Sequence, residues 1–261
     1  MIAMTSVSAV HADEGIVRLH AAGSLKPALT ELGRAFTAAH GTRVEAQFGS
    51  SGLLRERLEG GEPGDVYASA DMGNPLGLAK AGKAGPVVLF ARNRLCAVVG
   101  PGLQVTPETV LATMLAPDTK LGTSTPRNDP AGDYAWQLFA KADEVQPGAG
   151  VALEAKALKL TGAPDSPRPP DGRNVYAWHV LEGHADLFLA YCTTGREAAA
   201  TSAGITVVEL PQDLAVAADY GLTVVHTANA QVALPFVLYI LSADGQAILD
   251  RYGFNVPLSP R

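Results

Sequence analysis

The chain of 261 residues is 47% apolar and 18% charged, with 27 glycines, 18 prolines and a formal net charge of -6. That composition supports a core without disulfide or metal staples and excludes disordered, collagen-like and coiled-coil chains. The lack of any Lys/Arg run speaks against a nucleic-acid partner, and no apolar stretch reaches the ~20 residues of a membrane helix. The longest candidate, Val232 to Leu241, is interrupted by Pro235 and reads as a buried helix.

Met1 to Val10 is uncharged and small or apolar, and Val10-His11-Ala12 has the small residues of a signal-peptidase site. Residues 1–12 therefore read either as the remnant of a truncated export signal or as an ordinary frayed terminus. From there strands and helices alternate, which argues for an α/β fold. Ile16 to Ala21 alternates as a strand and ends at Ala22-Gly23-Ser24; Leu25, Ala28, Leu29, Leu32, Phe36 and Ala39 then recur at helical spacing. Strand Val44 to Phe48 leads through Gly49-Ser50-Ser51-Gly52 into helix Leu53 to Leu58, and strand Asp65 to Ser69 into helix Pro75 to Ala81. The apolar run Val87 to Val99, split by Arg92-Asn93-Arg94, reads as the chain crossing into a second lobe.

In that second lobe Thr106-Pro107-Glu108 carries a cap, a first-position proline and a first-turn acid, which predicts a helix start. Lys120 to Ser124 is a strand, Tyr134 to Lys141 a helix, Val151 to Leu160 a helix, and Gly162 to Gly172 a proline-rich loop. Val175 to Glu182 is helical, Asp186 to Cys192 and Leu222 to Val225 are strands, and helices Val232 to Leu241 and Ala243 to Tyr252 close the chain. Ser242 caps the last helix and Gly253 ends it. The boundaries follow: 13–91 with 226–261 form one lobe and 92–225 the other. The hinge is expected near Arg92–Leu95 and Val225–Thr227.

Enzyme signatures are missing: there is no G-x-G-x-x-G, P-loop, G-x-S-x-G or H-E-x-x-H pattern. No catalytic residue is assigned. His179 and His184 lie about 140° apart around an ideal helix, so with Asp186 they form a metal site only if the helix breaks at Gly183. The expectation is no metal and no cofactor. Cys96 and Cys192 form no C-x-x-C; a disulfide in an oxidising compartment and two buried thiols are both compatible with their apolar neighbours.

One device recurs instead. A strand ends, a small residue sits in a glycine-bearing turn, and a helix begins: Gly23-Ser24, Gly49-Ser50-Ser51-Gly52 and, more loosely, Asp129-Pro130-Ala131-Gly132. Each turn offers unpaired backbone N–H groups at a helix start, and the first two add a hydroxyl. In an α/β sheet such turns gather at the carboxyl ends of the strands, where oriented N–H dipoles can hold an anion. Taken singly, Ser24 and Ser51 are ordinary helix caps; their coincidence in successive units favours an anion site.

At these residues the chain resembles the molybdate-binding proteins of ABC importers, which have the type II periplasmic solute-binding fold. The matching stretches are His20 to Leu25, Gln47 to Gly52, Asp65 to Asp71, Arg173 to Val175, Ala185 to Tyr191 and Tyr252 to Phe254. The resemblance implies a two-lobe, doubly wound fold that closes about its hinge on a molybdate or tungstate oxyanion. It implies ligand contacts from the Ser24 and Ser51 hydroxyls and amides, the Ala131 and Val175 amides and the Tyr191 hydroxyl. It further implies a periplasmic monomer that docks on a membrane ABC permease.

The stretch Gly122 to Tyr134 and Cys192-Thr193-Thr194 depart from the usual family pattern. Asp129 or Asp133 near the cleft would favour a protonated anion such as hydrogen phosphate, and Arg127 could add a charge-assisted contact. Phosphate or a small organic acid is therefore the alternative ligand, and a metal protein or enzyme built on His179, His184 and Asp186 the less favoured one.

Overall fold

A computed structural model describes residues 15–226 and 229–256. The export-signal segment 1–12 and Thr227 of the expected hinge lie outside the described residues. Among the described residues nine strands form one sheet, eight of them ordered β2-β1-β3-β9-β4-β7-β5-β6 and β8 paired to β4 off that path: β1 (Ile16–Ala22), β2 (Arg43–Gly49), β3 (Val66–Ser69), β4 (Val88–Val99), β5 (Leu121–Ser124), β6 (Leu158–Thr161), β7 (Leu187–Tyr191), β8 (Thr206–Glu209) and β9 (Ala217–Val224). β1 runs parallel to β2 and β3, and β5 runs parallel to β6 and β7. Each half therefore contains parallel strands joined by helical crossovers.

β4 joins the halves. Residues Val88 to Arg94 pair antiparallel with β9, and Leu95 to Val99 pair with β7 on one edge, with Cys96 to Val99 against β8 on the other. The partner change at Arg94–Leu95 coincides with the end of the charged interruption Arg92-Asn93-Arg94. β9 also pairs with β3, through Gly221 to Val224.

The helices cover the sheets with the faces their spacing sets. α1 (Lys26–His40) starts with Pro27 in its first turn, buries Ala28, Leu29, Leu32 and Phe36, and stops at Gly41 in the left-handed region (φ 75°). α2 (Ser51–Glu59) and α3 (Gly73–Lys80) flank the first sheet. α4 (Val110–Leu115), α5 (Pro130–Val145), α6 (Ala149–Lys156), α7 (Val175–Leu181) and α8 (Cys192–Thr201) belong to the second lobe. α9 (Ala230–Leu241) and α10 (Ala243–Arg251) return to the first, where Phe236 packs edge-on against Phe36 with ring centroids 5.1 Å apart.

Four sequence expectations are corrected. The helix expected at Thr106 begins one turn later, because Thr109 Oγ1 accepts the Thr106 N–H and closes a turn first. The helix expected over Val151 to Leu160 ends at Lys156, and Leu158–Thr161 pairs with β5 as the edge strand β6. Cys192–Thr201 is a helix that was not foreseen. α9 is buried along Ala233, Phe236, Val237 and Ile240, while Leu234 and Leu238 are 50% and 66% exposed, so it is one-sided rather than buried all round. Among the described residues, no single helix is long and apolar enough to cross a membrane.

Candidate functional site: a cleft between two lobes

The turn after β2 builds the first wall. Ser51 is the first residue of α2, fully buried, and its carbonyl accepts a hydrogen bond from Tyr67 Oη at 2.6 Å. Its Oγ accepts the Ala70 N–H at 3.1 Å. Beyond it, Ser69 Oγ donates to Asp71, whose Oδ1 accepts the Asn74 N–H at 3.0 Å and orders the start of α3. The stretch Asp65 to Asp71 thus holds the Ser51 turn in place. Ser24, in the 3-10 turn Gly23–Leu25 that opens α1, shares a 2.9 Å hydrogen bond with Tyr220 Oη. Tyr220 also accepts from Asn93 Nδ2 at 3.3 Å, so the turn is tied to β9 and β4. Sequence reading missed Tyr220, which lies upstream of the expected return strand; Asn93 was visible as a polar break in an apolar run.

The second wall comes from β7, α7 and the loops around α5 and β6. Tyr191 ends β7, is 2% exposed, and donates through its hydroxyl to the Ala70 carbonyl at 3.4 Å. Burial pushes its phenol well above the ordinary range, so it stays a neutral donor. Val175 is the first residue of α7; the Asn174 side chain before it accepts from the Tyr176 and Ala177 amides, which leaves the Val175 N–H outside the cap. Ser24, Ser51, Val175 and Tyr191 all line one cleft of about 780 Å³.

Ala131 does not join them. It is fully buried, and its N–H donates to Asp129 Oδ1 at 3.1 Å, so the amide expected to meet a ligand caps its own helix instead. Asp129 itself lines the cleft. Asp133 accepts the backbone N–H of Arg127 at 3.0 Å, and Arg127 holds a left-handed backbone (φ 70°) with its side chain exposed. Neither lines the cleft.

The alternative histidine site is partly assembled. Gly183, at φ 71°, ends the helix and folds His184 back, with its Nδ1 3.3 Å from His179 Nδ1. Asp186 turns away and accepts the Lys120 N–H at 2.8 Å. Among the described residues no group of three metal-ligating side chains is assembled. Cys96 and Cys192 form a disulfide, which resolves the choice the sequence left open. The bond ties β4 to the residue directly after Tyr191.

This arrangement has a family. A family model described as bacterial extracellular solute-binding protein matches residues 17–255. The chain belongs to the bacterial extracellular solute-binding proteins. It is therefore an extracytoplasmic binding protein rather than an enzyme. It is 34% identical over 239 residues to the uncharacterized protein PM1146 of Pasteurella multocida, covering 91% of this chain and 98% of that one. It is 27% identical over 253 residues to the molybdate-binding protein ModA of Escherichia coli K12, covering 94% and 91%. The solved structure of the Azotobacter vinelandii periplasmic molybdate-binding protein superposes with a TM-score of 0.74 at 20% identity, covering 92% of this chain and 99% of that one. The fold is that of the type II periplasmic binding proteins.

Proposed function

We propose that this protein captures a tetrahedral oxyanion, molybdate or tungstate, in its interlobe cleft within the periplasm and delivers it to a membrane ABC permease. One observation carries the reading: hydroxyls from opposite lobes meet on a single residue, with Ser51 Oγ on the Ala70 N–H and Tyr191 Oη on the Ala70 carbonyl. An anion entering there exchanges these weak internal contacts for charge-assisted ones, together with the Ser24 hydroxyl and the Ser51 and Val175 amides that open α2 and α7. Hydroxyls and amides suit a compact dianion because they are fixed dipoles that need not reorganise as the lobes exclude water. Bending of β4 near Arg94–Leu95, where its pairing partner changes, lets one lobe close on the other. The chain acts as a monomer in this reading, with the resemblance to molybdate-binding relatives supporting the anion class.

Thermal unfolding at matched ionic strength with molybdate, tungstate, sulfate or phosphate tests it. A ligand at a hundred times its dissociation constant adds ~2.7 kcal/mol and raises the midpoint by several degrees. A shift with molybdate and tungstate alone supports the reading, and Ser24→Ala with Ser51→Ala should then abolish it. No shift with any oxyanion overturns it.

A larger phosphorylated or carboxylated organic anion is the second reading. The cleft volume of about 780 Å³ exceeds what a bare tetrahedral ion fills, and Lys26, Arg57, Arg168 and Arg173 stand on its walls. A midpoint shift with a phosphomonoester in place of the metal oxyanions would favour it.

A further inference from the structure

An acid in the wall of an anion site needs a physical account, and Asp129 is such an acid. It is the residue preceding α5, and its Oδ1 is engaged by the Ala131 N–H. Its other oxygen faces the loop after β6. Gly162 there sits at φ 90°, and a Cβ on it would stand 2.6 Å from Asp129 Cβ and 3.2 Å from Oδ2, so this loop closes over the carboxylate only because residue 162 is glycine. The carboxylate lines the same cleft as Ser51, Val175 and Tyr191.

Its surroundings offer no counter-charge. On its own element, Asp133 is a like charge; Asp71, from the turn between β3 and α3, is another. The remaining groups that face it are neutral: Ser124 from β5, Tyr176 from α7 and Tyr191 from β7. No ion pair to Asp129 forms among the described residues. The cations on the cleft wall are Lys26, Arg57, Arg168 and Arg173, and two of these are engaged elsewhere, Arg57 with Glu62 and Arg173 with Glu182. A dianion seated between Ser51 and Tyr191 would thus stand beside an ionised carboxylate in a site screened from water, and one proton shared between them removes that repulsion.

We propose that the cleft takes up its oxyanion together with one proton drawn from solvent, held in a hydrogen bond between Asp129 and a ligand oxygen. The statement rests on the oxyanion reading above and adds the protonation state to it. The proton comes from bulk water or buffer, no covalent bond between heavy atoms changes, and the bound complex carries one negative charge less than the separated pair. Burial already raises the Asp129 carboxyl to about 6, so the free protein is poised to accept that proton just below neutral pH.

Linkage fixes the consequence. Below about pH 6 Asp129 is protonated before the anion arrives and the dissociation constant is flat; above it, each pH unit weakens binding about tenfold until the complex itself titrates. Titration calorimetry with micromolar tungstate at pH 6.5, 7.5 and 8.5, in buffers of different ionisation enthalpy, reads both quantities. Tungstate stays a dianion across this range, so a proton taken up must come from the buffer. The expected result is uptake of close to one proton at pH 7.5 and a tenfold loss of affinity per unit. Asp129→Asn keeps an acceptor for the Ala131 N–H and should bind with a flat pH profile.

Tight binding by the native protein with no proton uptake overturns this proposal and leaves the oxyanion reading standing. A slope retained in Asp129→Asn overturns it as well, since the proton then resides elsewhere. Failure of tungstate, molybdate and phosphate to bind at any of these pH values overturns both.

Discussion

Gly52 and Asn128 meet across the cleft: the Gly52 N–H, in the first turn of α2, donates to the Asn128 carbonyl of the opposite lobe at 3.0 Å. A Cβ on Gly52 would lie 2.3 Å from the Arg127 carbonyl oxygen and 2.8 Å from that of Asn128. Both obstacles are backbone, and Arg127 already holds a left-handed conformation, so neither can yield cheaply. Gly52→Ala should therefore hold the lobes apart while leaving each lobe folded. Small-angle scattering should show a larger radius of gyration, and oxyanion affinity should fall by about tenfold or more, ~1.4 kcal/mol. An unchanged radius together with unchanged affinity would show that the contact plays no part in closure.

Ser51 has a structural task as well as a candidate ligand contact. Its Oγ is the partner of the buried Ala70 N–H, and truncation strands that donor. Ser51→Ala should cost ~1–3 kcal/mol of stability even without ligand. Ser24→Ala should cost less, because the Tyr220 hydroxyl it abandons keeps Asn93 Nδ2 as a partner. Denaturant unfolding of the two anion-free variants gives the comparison. If both lose affinity but only the first loses stability, the two roles of Ser51 are separated.

How much of this was legible depended on where the signal lay. The strand–turn–helix units of the first eighty residues are local, with strong apolar spacing, and the sequence carries them almost to the residue. α8 was missed because Thr193, Thr194 and Gly195 are buried small residues with no apolar stripe to betray them. β6 was absorbed into a helix because Leu158-Lys159-Leu160 is too short to contradict the helical period before it, and it exists through pairing with β5. At the site, the serines announced themselves through turn chemistry. The internal partner of the Ala131 amide was also legible, since Asp129-Pro130 is the pattern of a helix cap followed by a first-turn proline. Tyr220 reaches Ser24 across 196 residues of chain, and no local pattern encodes such a contact.

The disulfide joins β4 to the cleft wall. Cys96 lies just past the point where β4 changes partner, and Cys192 follows Tyr191 directly, with Leu95 paired opposite Tyr191. The bond closes a loop of 96 residues of separation. A loop of that size restricts the unfolded chain enough to contribute ~2–5 kcal/mol. Replacing both cysteines by serine should lower the unfolding midpoint by roughly 5–15 °C and weaken anion binding as the end of β7 loosens. Equal midpoints for the native protein with and without reductant would mean the bond contributes nothing to stability.

The pH dependence of stability should show two buried groups working against each other. Burial and the neighbouring His184 hold His179 down to about 4, below the ordinary histidine range. Between about pH 4 and 6.5 the unfolded chain therefore binds more protons at this site than the folded one, and stability rises with pH across that window. Its contribution is complete above 6.5 and is lost as the pH falls towards 4. Asp129, raised to about 6, has the opposite sign. Between about pH 3.8 and 6 the folded protein holds the extra proton, so that contribution is present at low pH and lost as the pH rises through 6. In the native protein the two limbs overlap and largely cancel, which predicts an unfolding midpoint nearly level between pH 4 and 6. Asp129→Asn removes one limb. Its midpoint should climb with pH over 4–6.5, and near pH 7 it should exceed the native protein in stability by ~1–3 kcal/mol. Midpoints that run parallel for the two proteins across this range would show that Asp129 does not titrate in the folded state as its surroundings dictate.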